Sequence, residues 1–308
     1  MRIIFFGTPP FSVPSLNLLV KSGYRVVAVV TSLDKPAGRG LKTQKSAVKR
    51  AAEDLNIPIL QPKNLKSKEF INSLSSFNAD LQVVIAFRML PEVVWNMPKL
   101  GTINLHASML PDYRGAAPIN WAIINGEVKT GLSTFKLKHK IDTGDILLQQ
   151  EISIGSEMNA GELHNLMMED GAKLICQTVD CIDQGTATFK KQTLTLDNPK
   201  IAPKITKANC EINWKNPSFK IFNFIRGLSP YPCAWTKWEG KTFKIKKVQT
   251  TEENQLEPGE IYVYENKLFV GTKDFALQLL EVQLEGKKIM PCEDFLRGIK
   301  QIPKLLGL

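Results

Sequence analysis

Cysteine and histidine are scarce in this chain of 308 residues. The five cysteines are odd in number, widely spaced and without a CxxC pair, so neither a disulfide framework nor a zinc site is expected. The three histidines show no HExxH spacing, the pattern of a helical zinc site. We therefore predict a protein that works without a metal ion.

Long apolar runs are also missing, and no signal peptide is expected. No run approaches the about 20 residues that a membrane-spanning helix needs, and Met1 and Arg2 lead directly into a strand-like segment. Hydrophobic residues make up 43% of the chain, which at this length is enough for two domains with a substantial core each. We predict a cytoplasmic protein without a membrane partner.

The glycine pattern of a dinucleotide-binding fold is absent as well. The first apolar run, residues 2–7, ends at Gly7, but a nucleotide fingerprint needs GxGxxG at the start of the following helix. Gly7 stands alone in the sequence GTPPF, so an NAD-linked enzyme is disfavoured. Gly7 and Pro9 instead indicate a strand-to-helix turn.

Positive charge is in excess and is concentrated in two zones. The formal net charge is +10. Between residues 34 and 50, six Lys and Arg stand against one Asp, and between 200 and 247 eleven stand against two Glu. Two basic zones are typical of a protein that contacts a polyanion at two places. A surface that only serves solubility has the same composition, so both interpretations stay open.

Apolar runs alternate with helix-like segments in the first half of the chain. The runs at 2–7, 25–31 and 79–87 are nearly continuous in apolar residues, as in the strands of a parallel sheet covered on both faces. The runs at 103–107 and 145–154 are expected to continue that sheet. The pattern predicts an α/β domain.

The second half of the chain has a different character. Residues 162–182 show helical spacing of Leu, Met and Ile. The stretch that follows is rich in Thr and Pro and predicts a linker. Beyond residue 212, five short β-prone runs are separated by turns, which is typical of a small barrel or sandwich. We place the domains at 1–188 and 207–308, with a linker at 189–206.

The segment INLHASMLPDYRGAAPI, residues 103–119, is the richest in chemistry. Side chains alternate along a strand, so Asn104 and His106 are expected on one face and Ile103 and Leu105 on the other. An amide that donates a hydrogen bond and an imidazole that moves a proton are a candidate catalytic pair for a reaction that builds an oxyanion. Without such neighbours, a histidine at a strand end is more often a hydrogen-bonded core residue.

Several motifs together resemble the methionyl-tRNA formyltransferase family, a group of folate-dependent formyltransferases. In chain order they are FFGTP, NLHASMLPDYRGAAPIN, IDTGDIL, APKI, INW and IRGLSPYP. The NxH pair with a downstream DTG is the most specific part. The resemblance implies a Rossmann-like formyltransferase domain joined to a C-terminal domain like an OB-fold β-barrel. It also implies formyl transfer from 10-formyltetrahydrofolate to the α-amino group of methionyl initiator tRNA, for translation initiation.

The resemblance assigns roles to residues of this sequence. Asn104, His106 and Asp142 match the family's catalytic positions. Asp142 is expected to favour charged His106 and to fix its orientation or that of a bridging water. From the residues alone, Asp142 is also a candidate for an Asx turn, and Asp145 competes for the catalytic role. The family's folate-contacting loop corresponds to Ser108, Met109, Leu110 and Pro111.

The two basic zones fit the same family. The loop at 34–45 matches an inserted loop that orders against the acceptor arm of tRNA, and a solvated loop is its plain alternative. In the C-terminal domain, lysines together with Arg226 are expected to track phosphates, and tryptophans to stack on bases or, for most of them, to pack in the core. The residues expected to bind tRNA are Arg39, Lys42, Lys204, Lys207, Lys244 and Lys246.

Other functions on the same fold stay open from the sequence. Glycinamide ribonucleotide or an amino sugar nucleotide could accept the formyl group, although neither calls for the basic zones. A hydrolase that releases formate would need no second domain for RNA, and an RNA-binding protein without activity would not need the catalytic trio. Arg88 holds either the folate glutamate tail or a surface salt bridge, and Cys233 is a buried thiol where the family has glycine. We expect a monomer.

Overall fold

The computed structural model describes residues 1–37, 42–193, 200–252, 256–299 and 301–307. Contacts divide the chain into two compact units, each assembled from separate stretches. Unit 1 comprises Met1–Arg114, Gly131–Ile152 and His164–Lys200. Unit 2 comprises Gly115–Thr130, Ser153–Leu163 and Ile201–Leu308. The contiguous domains at 1–188 and 207–308, with their linker, stay a prediction.

Strands and short helices alternate through the first third of the chain. They are β1 Arg2–Gly7, a 3-10 helix Pro10–Ser12, α1 Val13–Lys21, β2 Arg25–Val30, β3 Lys35–Ala37, β4 Lys42–Gln44, α2 Ala47–Asp54, β5 Ile59–Leu60, α3 Lys68–Ser76, β6 Leu81–Ile85, α4 Glu92–Trp95 and β7 Thr102–His106. The middle of the chain forms β8 Arg114–Gly115, α5 Pro118–Ile124, β9 Lys129–Lys136, β10 Ile146–Ser153 and α6 Ala160–Asp183.

The last third is rich in strands. Its elements are β11 Ile201–Ala202, a 3-10 helix Ala208–Cys210, α7 Ser218–Leu228, β12 Ala234–Trp238, β13 Lys241–Thr250, β14 Ile261–Tyr264, β15 Lys267–Val270, β16 Leu277–Leu284, β17 Met290–Pro291 and α8 Cys292–Arg297. Within the described residues, every helix is too short or too polar to span a membrane.

Unit 1 is built on a sheet with the strand order β10-β9-β7-β6-β1-β2-β5. The pairs from β5 to β7 are parallel, and β9 runs antiparallel to β7. The predicted parallel sheet is confirmed, with an antiparallel edge that the sequence pattern did not indicate. Ile3 and Phe5 point to one face and Ile4 and Phe6 to the other, and all four are buried because helices cover both faces.

Two helix starts show why the chain turns helical where it does. The side chain of Ser46 accepts a hydrogen bond from the backbone N–H of Lys49 at 2.9 Å and caps α2. At the start of α6, Asn159 Oδ1 accepts from the N–H of Glu162 at 3.0 Å, and Glu162 Oε2 accepts from the N–H of Asn159 at 2.9 Å. This reciprocal capping box begins the helix predicted over 162–182, which is confirmed.

The basic loop at 34–45 differs from the prediction. Strands β3 and β4 pair in an antiparallel hairpin, where the sequence predicted a loop. Backbone hydrogen bonds can form such a pair without apolar side chains, so periodicity gave no sign of it. Arg39 lies outside the described residues, as does the side chain of Lys42.

Unit 2 holds an antiparallel sheet of order β12-β13-β16-β15-β14, with β17 beside β16. All five predicted β-prone runs are strands of this sheet. Trp238, Phe243 and Phe295 meet in its core, with ring centroids 4.9 to 5.0 Å apart. Closure of the sheet into an OB-fold-like barrel stays a prediction.

Candidate active site

Strand β7 carries the Asn104 and His106 pair. It lies between β6 and β9, so it is an interior strand of the sheet. Leu105 and its cross-strand partner Thr134 face helix α6, where the Thr134 hydroxyl lies 2.8 Å from that of Thr178. The alternation of a strand therefore places Asn104 and His106 on the opposite face, as the sequence predicted.

The His106 ring is held at one nitrogen and faces a carboxylate at the other. Nε2 lies 2.9 Å from the carbonyl oxygen of Tyr113. A carbonyl only accepts, so Nε2 carries the hydrogen. Nδ1 faces Oδ2 of Asp142 at 3.9 Å, and both side chains are mostly buried. Nδ1 is thus the ring nitrogen that faces the carboxylate, and a part for it in proton transfer stays a prediction.

Asp142 and Asp145 are separated by the turn that carries them. Asp142 adopts a left-handed backbone with φ of +52°, and its carboxylate faces His106. Asp145 instead forms an ion pair with Lys138 at 2.7 Å. Between them, a Cβ on Gly144 would lie 1.7 Å from a backbone carbonyl oxygen, so only glycine fits. Of the two candidate carboxylates, Asp142 is the one beside the imidazole.

The loop at 108–111 follows the pair and is tied down by its own polar groups. Ser108 is fully buried, and its hydroxyl donates to the carbonyl of Asp112 at 2.6 Å. Leu110 is buried too, whereas Met109 is half-buried. The loop is therefore held in place by hydrogen bonds, and the Ser108 hydroxyl is already engaged in one of them. We call residues 108–111 the wall. Contact of Ser108, Met109, Leu110 and Pro111 with folate stays a prediction.

Two residues that sequence reasoning missed hold this wall. The Ser133 hydroxyl donates to the carbonyl of Ser108 at 2.7 Å and accepts from the N–H of Leu110 at 3.0 Å. Gln149 donates to Ser133 Oγ at 2.9 Å and to the Leu110 carbonyl at 3.0 Å. Ser133 is the cross-strand partner of His106. The only signal was strand register, which a single sequence does not reveal.

Within the described residues, Arg88 contacts backbone carbonyls and not the carboxylate that a surface salt bridge would need. Its guanidinium donates to the backbone carbonyls of Pro62 and, at 3.1 Å, of Lys63. The same group lies 5.9 Å from the ring centroid of Phe87. These contacts give Arg88 a part in fixing the 62–63 segment, and its role toward folate stays a prediction.

Basic side chains surround Trp235 on the outer face of the unit 2 sheet. Trp235 pairs across strands with Lys244, and its indole N–H donates to the carbonyl of Lys207 at 2.8 Å. The ammonium of Lys237 lies 5.5 Å from the Trp235 ring centroid. Lys204 and Lys207 are exposed, and Lys244 and Lys246 are half-buried. This basic and aromatic surface has the composition of a nucleic-acid contact, and its role stays a prediction.

Core packing accounts for Trp214 and Trp238, and Arg226 is buried with them in unit 2. Trp214 and Trp238 are buried, as expected for most of them. Arg226 was predicted to track phosphates, and this is wrong. It is 9% exposed and donates to the carbonyls of Gly155 and Met158, at 3.3 and 2.8 Å. Burial lowers the pKa of its guanidinium.

Cys233 has a left-handed backbone, as expected for a position where the family has glycine. Its φ is +73°, a region where glycine is favoured. Its thiol is buried and donates to the carbonyl of Pro230 at 3.0 Å. Burial raises the pKa of this thiol, as expected for an inert cysteine.

Two family models match the chain. The model described as Formyl transferase matches residues 1–179, and the one described as Formyl transferase, C-terminal domain, matches residues 204–300. The chain belongs to the formyl transferase family. The family resemblance of the sequence motifs is thereby confirmed.

Individual proteins are similar over nearly the whole chain. The methionyl-tRNA formyltransferase of Bacteroides fragilis is 47% identical over 307 residues, 97% of this chain and 95% of that protein. That of Azobacteroides pseudotrichonymphae is 50% identical over 310 residues, 96% of this chain and 95% of that protein. The solved structure of an N-formyltransferase from Helicobacter canadensis, with folinic acid and dTDP-3-aminofucose, shares the fold. Its TM-score is 0.67 at 22% identity, over 91% of this chain and 98% of that chain.

Proposed function

We propose that this family member transfers the formyl group of 10-formyltetrahydrofolate to the α-amino group of methionyl initiator tRNA. The observation that carries the proposal is the near full-length similarity to methionyl-tRNA formyltransferases. The geometry around His106 supports the formyl-transfer part, because it provides an oriented imidazole, a carboxylate and a neighbouring amide.

The reaction makes and breaks one carbon–nitrogen bond. The neutral α-amino nitrogen attacks the formyl carbon, and the carbonyl oxygen becomes an oxyanion. The bond from that carbon to the folate nitrogen then breaks, the folate nitrogen gains a proton and the attacking nitrogen loses one. An α-amino group titrates near about 7.7 to 8.0, so a useful fraction is already neutral at physiological pH. No covalent intermediate with the enzyme is needed.

The three candidate catalytic residues divide this work. The side-chain NH2 of Asn104 donates to the developing oxyanion. His106 relays the proton through Nδ1, since Nε2 is committed to the carbonyl of Tyr113. The Asp142 carboxylate stabilises the imidazolium that forms during the transfer. The folate donor lies against the wall of residues 108–111, whose rigidity suits a flat ring.

Transfer RNA is proposed to bind through both basic zones. In the C-terminal zone, Lys204, Lys207, Lys244 and Lys246 contact phosphates, and the surface around Trp235 suits base stacking. In the N-terminal zone, the contacts are Arg39 and Lys42. We further propose that residues 1–188 and 207–308 act as catalytic and tRNA-binding domains of a cytoplasmic monomer, joined by the linker at 189–206.

The test measures transfer of the labelled formyl group of 10-formyltetrahydrofolate to separate acceptors. These are methionyl initiator tRNA, methionyl elongator tRNA and glycinamide ribonucleotide. We expect transfer to the initiator only, with kcat/KM falling steeply as salt rises, because phosphate contacts release counterions. Labelling of the small amine alone, or release of free formate, would overturn the RNA part of the proposal while keeping the fold. An RNA-binding protein without activity would label no acceptor.

A further inference from the structure

Gln192 connects two segments of unit 1 that are distant in sequence. Its side-chain NH2 donates one hydrogen bond to the carbonyl of Asp142 at 2.9 Å and one to that of Gly144 at 2.8 Å. Its side-chain oxygen accepts from Arg114, through Nε at 3.1 Å and through Nη2. Both hydrogens and the oxygen of the amide are therefore used.

These bonds span the two sides of the His106 ring. Arg114 directly follows Tyr113, whose carbonyl holds Nε2 of His106. Asp142 supplies the carboxylate that faces Nδ1. One side chain thus joins the segment that anchors the ring to the turn that carries its charged neighbour.

The turn at 142–144 needs an anchor of this kind. Asp142 has a left-handed backbone, a conformation that non-glycine residues hold only when the surrounding structure fixes it. Gln192 binds the carbonyls on both sides of Thr143, at Asp142 and Gly144, and so restrains the turn at two points. The side chain at 192 must both donate to the turn carbonyls and accept from Arg114, and glutamine does both. Asparagine is shorter by one carbon. Glutamate has no N–H to donate, and lysine has no oxygen to accept from Arg114.

We propose that Gln192 is a positioning residue for formyl transfer, which holds the 142–144 turn so that the Asp142 carboxylate faces Nδ1 of His106. The inference rests on the proposed function of the same site. Gln192 acts through Asp142 and not on the substrate. Its loss therefore changes the chemical step more than the binding of either substrate.

The first experiment compares Gln192→Met and Gln192→Glu with the wild-type enzyme, using full-length protein, methionyl initiator tRNA and 10-formyltetrahydrofolate. Methionine keeps the length of the side chain but neither donates nor accepts, and glutamate keeps only the acceptor. We expect kcat to fall about 10- to 100-fold in both variants, with KM for each substrate within about 2-fold. Gln177→Met, on the exposed side of α6, is the matched control and should keep wild-type kcat.

The second experiment is a double-mutant cycle with Asp142→Asn. If Gln192 acts through Asp142, Gln192→Met should lower kcat by less than about 2-fold further in the Asp142→Asn background. Wild-type kcat in both Gln192 variants would overturn the inference, and so would a full additional loss in the Asp142→Asn background. The inference would also be overturned if the Gln192 variants changed only KM and kept wild-type kcat. If the wild-type enzyme itself formylates no methionyl-tRNA, the proposed function has failed, and this is distinguishable because the control reaction is then blank.

Discussion

Nδ1 of His106 lies 3.9 Å from Oδ2 of Asp142, while the other ring nitrogen donates to the carbonyl of Tyr113. The separation is too long for a direct hydrogen bond. It is within the range at which a carboxylate favours a charged neighbour. The two side chains are only 9% and 15% exposed, so solvent and salt screen the attraction weakly. The pair thus places a carboxylate beside the ring nitrogen that the proposed proton relay would use.

Removal of the imidazole tests this arrangement directly. We expect His106→Ala to reduce kcat at least about 100-fold, because proton transfer and oxyanion stabilisation are both affected, with little change in tRNA affinity. His139→Ala, at an exposed histidine, is the matched control. Steady-state kinetics and tRNA filter binding measure the two effects. Near-normal turnover in His106→Ala would remove the residue from the mechanism.

The two carboxylates of the segment DTGD, residues 142–145, should behave differently. We expect Asp142→Asn to lower kcat about 10- to 100-fold, because the amide keeps the shape and loses the charge. Asp145→Asn breaks only the ion pair with Lys138, a partly exposed contact, and should change the free energy of unfolding by at most about 1 kcal/mol. Comparison of kcat and urea unfolding for both variants checks the assignment. Equal loss of kcat in the two variants would contradict it.

The surface around Trp235 predicts a salt-dependent effect on tRNA binding. We expect Lys244→Ala to raise KM for methionyl-tRNA and to reduce the salt slope of binding by about 1, since one phosphate contact is lost. KM for the folate donor should not change. Lys173→Ala, at an exposed lysine paired with Asp170 on α6, is the control. A salt slope equal to that of the wild type would mean that Lys244 does not contact a phosphate.

Asp274 predicts a pH-dependent contribution to stability. Its carboxylate accepts hydrogen bonds from the backbone N–H of Ser218, at the start of α7, and of Phe275, at 2.7 and 2.8 Å. Burial raises the pKa of Asp274, but these bonds outweigh it and lower the pKa from 3.8 to about 2. A carboxyl group with a lowered folded-state pKa stabilises the protein above its unfolded pKa, and this stabilisation is lost as the pH falls through the folded pKa.

The corresponding variant is Asp274→Ala. We expect it to lower the free energy of unfolding by about 1 kcal/mol near neutral pH, the usual effect of removing a helix cap. The difference from wild type should shrink as the pH falls from about 4 toward about 2. Urea titrations at several pH values measure it. A difference that is the same at all pH values would contradict the role of the charge.

The cysteines should differ in their reaction with an alkylating agent. Cys181 is half-buried, whereas the other four are buried. Burial raises the pKa of each of these four thiols, that of Cys292 to about 12. With iodoacetamide at mildly alkaline pH, mass spectrometry should find Cys181 modified first, and the others only after unfolding. Early modification of Cys233 would show that its turn opens in solution.

Local sequence pattern was sufficient to place Asn104 and His106 together. Strand alternation repeats every two residues, so their common face follows from their spacing alone. The same reasoning predicted the five strands of unit 2 and helix α6. It missed the β3–β4 hairpin, where backbone hydrogen bonds form without an apolar pattern.

Local sequence pattern could not predict contacts between residues that are far apart in the sequence. Gln192 lies 50 residues from Asp142 in the sequence, in a stretch whose composition predicted a linker. Arg226 has the same charge as a phosphate-binding side chain, so the sequence could not exclude it from that role. Only the structure shows that it is buried against backbone carbonyls.

The sequence by itself determined the α/β class, the strand-rich second half and the strand that carries Asn104 and His106, because periodicity and turn residues act over a few neighbouring positions. Only the tertiary structure decided which carboxylate faces His106, and which ring nitrogen is left to carry the proton. Both depend on the left-handed backbone at Asp142 and on a carbonyl at Tyr113. Such contacts join segments whose approach is set by packing of the whole sheet, which no short stretch of sequence encodes.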